Sequence, residues 1–66
     1  MRLMVNGEEK TLQDVRTVAD LLAQFDLPPQ RVAVELNQNL VRRANFEQQA
    51  LSEGDQLEIV TFVGGG

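Results

Sequence analysis

A chain of 66 residues and 7.4 kDa holds one domain and is close to the lower limit for folding without a metal or disulfide, since so small a domain buries only about 60% of its unfolded surface. Cysteine and histidine are both absent, which excludes disulfides, a thiolate nucleophile, an imidazole base and the Cys/His sets that hold zinc or iron–sulfur clusters. Hydrophobic residues at 42% and charged residues at 24% fit a folded globular protein, while a net charge of -4 repels a phosphate backbone, so nucleic acid is not an expected partner.

Arg2-Leu3-Met4-Val5 alternates, with Leu3 and Val5 on one face and Arg2 and Met4 on the other, and it runs into Asn6-Gly7 before Glu8 to Leu12. Asn and Gly tolerate the positive φ angles of a two-residue type I′ turn, so the spacing predicts a hairpin. Its second strand is polar enough for a sheet edge, where Glu8, Glu9 and Lys10 discourage pairing with another chain. Thr17 then precedes Val18, Leu21, Leu22 and Phe25, an i, i+3, i+4, i+7 stripe on one helical face. Thr17 can cap this helix, Asp20 suits both a capping box and the positive end of the dipole, and Pro28-Pro29 forbids continuation, so the helix should stop near Asp26.

Arg31 to Asn37 is β-branched and alternating, which predicts a strand just after the prolines with Val32, Val34 and Leu36 on one face. Asn37-Gln38-Asn39 reads as a turn and Leu40-Val41 as a brief strand before Arg42-Arg43. Asn45 to Leu51 reads as a short helical turn anchored by Phe46, Ala50 and Leu51. Ser52 to Asp55 is a turn by composition, and Gln56 to Val63 is the last strand, with Leu57 and Ile59 on one face and Glu58, Val60 and Phe62 on the other. The expected architecture is α+β: a mixed sheet of four to five strands with one amphipathic helix packed across one face. Its core should hold Leu3, Val5, Val18, Leu21, Leu22, Phe25, Val34, Leu36, Leu57 and Ile59. No apolar run approaches the roughly 20 residues of a bilayer span and no signal-peptide pattern opens the chain, so a cytoplasmic protein with no membrane partner is expected, monomeric on its own.

Three features remain once the core is assigned. The first is Phe62-Val63-Gly64-Gly65-Gly66, a strand running directly into glycines, which divides the chain into a domain over 1–63 and a flexible tail over 64–66. From Val63 to Gly66 an extended chain spans at most about 13 to 14 Å, enough to enter another protein's active site while the body stays outside. From composition alone, a frayed end or a cloning remnant explains such glycines equally well. The second feature is apolar: Val60 and Phe62 on the outer face of the last strand, with Met4 beside them on the first strand, form a candidate docking patch. The third is charge, where Arg42-Arg43 reads as solvated surface and Glu53, Asp55 and Glu58 as groups that steer a basic partner. No carboxylate is assigned a catalytic role and no metal site is expected.

Taken together, the size, the strand-strand-helix-strand order and certain residues carry a resemblance. These are Val5-Asn6-Gly7 at the first turn, Thr17-Val18 with Leu21-Leu22, Leu36-Asn37 followed by Leu40-Val41, Gly54-Asp55, and the run from Phe62 to Gly66. Over essentially its whole length the chain resembles the ubiquitin-like β-grasp superfamily, and within it the sulfur carriers of thiamin biosynthesis, the ThiS family. The resemblance implies that an E1-like adenylyltransferase of the ThiF type uses Mg-ATP to convert the Gly66 carboxylate to an acyl-adenylate. A persulfide sulfur donor then generates a terminal thiocarboxylate, which a thiazole synthase of the ThiG type consumes. On that reading Gly66 is the attachment point, Val63, Gly64 and Gly65 enter the partner's active site, and Phe62, Val60 and Met4 dock the partner. The chain is then a co-substrate and binds no cofactor itself. The alternatives are a carrier serving molybdopterin or tRNA thiolation, a ubiquitin-like tag, and a binding module with an incidental tail.

Overall fold

The Asn6-Gly7 pair does what its composition predicts: Asn6 has φ 52° and Gly7 φ 81°, so the chain reverses between β1 (Arg2–Val5) and β2 (Glu8–Thr11), which pair antiparallel. The computed structural model describes residues 1–62, and its remaining elements are helix α1 (Val18–Gln24), β3 (Val32–Leu36), β4 (Asn39–Val41) and β5 (Gln56–Thr61). Together the strands form one sheet in the order β2-β1-β5-β3-β4. β1 and β5 run parallel, with Met4 opposite Gln56 and Val5 opposite Leu57, and the other pairs are antiparallel. This is the expected mixed sheet, with β2 at one edge as its charges foretold.

One face of the sheet and the apolar stripe of α1 share a single hydrophobic core. Leu3, Leu21, Leu22, Leu57, Val18 and Val34 are its most completely enclosed side chains. Every expected core residue is buried except Phe25, which is half-buried. The reason is length: α1 ends at Gln24, Phe25 is its C-cap, and Asp26 turns the chain away at φ 57°. Val15, Val32, Val41, Phe46 and Leu51 complete the core.

Between Arg42 and Leu51 the predicted helical turn is present but short: a 3₁₀ turn spans Arg43–Asn45, the Gln48 and Gln49 N–H groups donate to the Asn45 carbonyl at 3.0 and 2.8 Å, and Phe46 and Leu51 are buried as its anchors. The Phe46 and Gln49 carbonyls serve α1. The Val18 N–H donates to the Gln49 carbonyl at 3.0 Å and the Ala19 N–H to that of Phe46 at 2.9 Å. Ala50 is exposed, not an anchor, because its backbone forms an isolated bridge with Thr17. A second 3₁₀ turn, Pro29–Arg31, delays β3 to Val32. β5 ends at Thr61, short of the expected Val63, which lies outside the described residues.

The start of α1 is fully capped. The Asp20 N–H donates to Thr17 Oγ1 at 3.2 Å, while Asp20 Oδ2 accepts from the backbone N–H groups of Arg16 at 2.9 Å and Thr17 at 3.1 Å. With the Val18 and Ala19 donors already satisfied, no N–H of the first turn is left without a partner. The bond from the Arg16 N–H, followed by that from Thr17, holds the Asp20 carboxyl below the usual carboxylate range. Across the molecule the Arg2 backbone N–H, followed by its guanidinium, does the same for Glu53.

Two expectations follow. Truncating Leu22 to Ala in this enclosed core should cost roughly 2–5 kcal/mol, measured by urea or thermal unfolding, a large part of what a domain of this size commands. Because the folded-state values of Asp20 and Glu53 lie below the unfolded ones, both contribute stability that is complete only above the unfolded values, from about pH 5.5 upward, and is lost as pH falls through the folded values. The urea midpoint should therefore drop on acidification below about pH 5. Asp20→Asn, which is neutral throughout, should make that drop shallower.

Candidate functional site

The outer face of the sheet, away from α1, carries what the core leaves over. In β5 the alternation sends Leu57 and Ile59 inward and Glu58, Val60 and then Phe62 outward. Val60 is 60% exposed and Phe62 53%, although both are apolar. Val60 sits opposite half-buried Ala33 of β3, and the Phe62 N–H donates to the Arg31 carbonyl at 2.7 Å, so the backbone stays paired to β3 up to the last described residue. The central strand thus carries the chain to the end of the described residues.

The register corrects one expected placement. Met4 does not lie beside Phe62: it pairs with Gln56, and Phe62 follows six residues later along β5, roughly 20 Å away at about 3.3 Å per residue. Parallel pairing of β1 with the start of β5 puts them at opposite ends, and Met4 is half-buried beside Glu9. Val60 and Phe62 form an apolar surface at the far end of β5, and Met4 is not part of it. Val63, Gly64, Gly65 and Gly66 lie outside the described residues.

Leu40, which the sequence reading left without a role, belongs to the same face and is 68% exposed, the most open large apolar side chain described. Its signal is the inward position of Val41 in β4, which by strand alternation sends Leu40 outward. Leu40 lies opposite Glu35, and Glu35 lies opposite Glu58 on β5. Like charges directly opposed on a sheet are unfavourable, and neither carboxylate has a cation within salt-bridge distance among the described residues. The face therefore combines exposed apolar side chains with uncompensated acid, a composition suited to a partner surface that is apolar and basic.

The described residues hold no group of three or more His, Cys, Asp or Glu side chains placed to bind a metal ion. Arg42 and Arg43 are exposed, as expected of a solvated pair, and neither pairs with a carboxylate among the described residues. An open depression of about 160 Å³ is bordered by Arg2, Leu3, Met4, Glu9 and Gly54, at the far end of the sheet from Phe62. A second, of about 390 Å³, lies where Ala19, Phe46 and Glu47 meet Pro29 and Arg43. Neither brings reactive groups together. No helix among the described residues is long and apolar enough to cross a membrane.

Comparison with known proteins agrees along the whole chain. The ThiS family model matches residues 3–66. The sulfur carrier protein ThiS of Bacillus subtilis is 38% identical over 65 residues, which cover 97% of this chain and 98% of that one. A thiazole synthase of Paramagnetospirillum magneticum is 42% identical over 66 residues, and there the chain spans only 20% of the relative's length. Among solved structures, the crystal structure of the thiamine biosynthesis protein (ThiS) from Geobacter metallireducens is 33% identical, with a TM-score of 0.83 and full coverage of both chains. The chain belongs to the ThiS family.

Proposed function

We propose that this protein is a sulfur carrier of thiamin biosynthesis that is charged at Gly66 and supplies sulfur to a thiazole synthase. The observation that carries this reading is the similarity to a sulfur carrier over 97% of this chain, together with a family match that runs through residue 66. A terminal carboxylate with a pKa near 3.5 is ionised at neutral pH and is a poor electrophile. Its oxygen attacks the α-phosphorus of Mg-ATP, held by an E1-like adenylyltransferase, and pyrophosphate leaves. The resulting acyl-adenylate has AMP as a good leaving group, which a persulfide sulfur displaces from the acyl carbon. A thiol then cleaves the acyl disulfide, and the sulfur left on the Gly66 acyl carbon is a thiocarboxylate.

The chain's own part is presentation. It has no cysteine, so the terminal acyl carbon is the site at which sulfur can be loaded, and the partner enzymes supply the catalytic groups. Glycines at 64 to 66 keep the strip of main chain narrow enough for a partner's active site, while Phe62 and Val60 dock the body outside it. Support for a thiazole synthase as the consuming enzyme comes from two curated thiazole synthases, of Paramagnetospirillum magneticum and Magnetococcus marinus. Each contains a segment matching all of this chain. A cytoplasmic location fits this chemistry.

Adding one residue after Gly66, or deleting Gly66, should leave the unfolding midpoint unchanged and abolish ATP–pyrophosphate exchange with the activating enzyme. Gly65→Ala should slow the exchange through the added Cβ. An extended variant that exchanges as fast as wild type contradicts the reading. Phe62→Ala should weaken binding to the activating enzyme by about 1–2 kcal/mol or more, as a docking anchor does, yet change stability by no more than about 0.5 kcal/mol. Calorimetric titration and urea unfolding of the same variant separate the two, and equal binding removes the docking role.

A further inference from the structure

The edge of β5 that faces β1 is closed by a side chain. β1 and β5 share only two paired positions, at whose two ends the Met4 N–H donates to the Asp55 carbonyl and the Asn6 N–H to that of Leu57, both at 2.9 Å. A continued strand would next accept from the Ile59 N–H and then donate to the Ile59 carbonyl. It cannot, because the backbone turns back at Asn6-Gly7. The Asn6 carboxamide makes both bonds instead: Oδ1 accepts from the Ile59 N–H at 2.7 Å and Nδ2 donates to the Ile59 carbonyl at 3.1 Å. One residue thus takes the positive φ that the turn needs and supplies the peptide-like group that the ladder lacks.

Two-sided pairing of β5 ends there. The Phe62 bond to Arg31 shows that the even-numbered residues of β5 direct their backbone groups to β3, so Ile59 and Thr61 direct theirs to the β1 side. Among the described residues nothing meets the Thr61 N–H or carbonyl on that side. We infer that Asn6 is a positioning residue for charging of the chain. By fixing β5 at Ile59 it sets the course of Thr61 and Phe62, the last described residues ahead of the glycines. This inference rests on the carrier reading above. Without the clamp, the outer half of β5 is held only by β3, and the activating enzyme must order a looser segment before the terminus can react.

Asn6→Gly tests this cleanly, since glycine accepts the positive φ of the turn and removes only the carboxamide. Asn6→Asp is the second variant; it keeps an acceptor for the Ile59 N–H but sets an anionic oxygen against the Ile59 carbonyl. Thr17→Ala, which loses the helix cap and does not touch β5, is the stability control. With the E1-like activating enzyme of the same organism, both Asn6 variants should show kcat/KM for ATP–pyrophosphate exchange lowered about tenfold, equivalent to about 1.4 kcal/mol. Thr17→Ala should stay within about twofold of wild type at the same temperature, a difference of less than about 0.5 kcal/mol. Amide exchange at Ile59 should quicken in Asn6→Gly while the α1 amides keep their protection. Wild-type kcat/KM in both Asn6 variants, an equal loss in Thr17→Ala, or an Ile59 amide as protected as in wild type overturns the positioning role and leaves the carrier reading standing. A wild-type chain that does not exchange at all overturns both.

Discussion

The structure depends on the placement of its last strand in the middle of the sheet. β5 is flanked by β1 on one side and β3 on the other, so the first and last strands of the chain lie parallel and side by side. A parallel pair cannot be joined by a tight turn, and the chain between them must cross the sheet; α1 lies in that crossing and covers one face. Alternation along β5 then divides its labour. Leu57 and Ile59 close the core against the helix, and Glu58, Val60 and Phe62 face outward. The first half of β5 is therefore paired on both sides, and its last described residues are paired to β3.

The two faces of the sheet contribute unequally to the isolated chain. The inner face is closed by apolar packing, and the one helix has every first-turn donor satisfied by its own cap or by carbonyls of the Phe46–Ala50 segment. The outer face does little for the isolated chain. Glu35 opposes Glu58, and Leu40, Val60 and Phe62 are left in water. In a domain with so small a core, such arrangements are costs that a purely structural sheet would not carry. A partner that covers the apolar groups and brings positive charge to the acidic pair removes both.

Much of this was legible in the sequence where local chemistry determines the outcome. Asn6-Gly7 admits one kind of turn, the spacing from Val18 to Phe25 admits one kind of helix, and Pro28-Pro29 bars its continuation, although the positive φ of Asp26 ends it first. The alternation of Val32, Val34 and Leu36 sets the inner face of β3. What escaped was decided by long-range pairing. The separation of Met4 from Phe62 follows from the parallel register of β1 and β5, which no local pattern encodes. The recruitment of the Phe46 and Gln49 carbonyls by α1 likewise joins residues far apart in sequence. Leu40 was hidden in a strand too short to show alternation, and the bonds of Asn6 to Ile59 join residues far apart in sequence. The terminal glycines lie outside the described residues, and their chemistry is implied only by the resemblance to the ThiS family.

The account is tested most directly by the intact mass of the protein after incubation with Mg-ATP, an E1-like activating enzyme and a persulfide donor, with the terminal peptide fragmented to place any change. It predicts exchange of one oxygen for sulfur at Gly66 and nowhere else in the chain. An unchanged terminus, under conditions in which the same enzyme charges a known sulfur carrier, would contradict it.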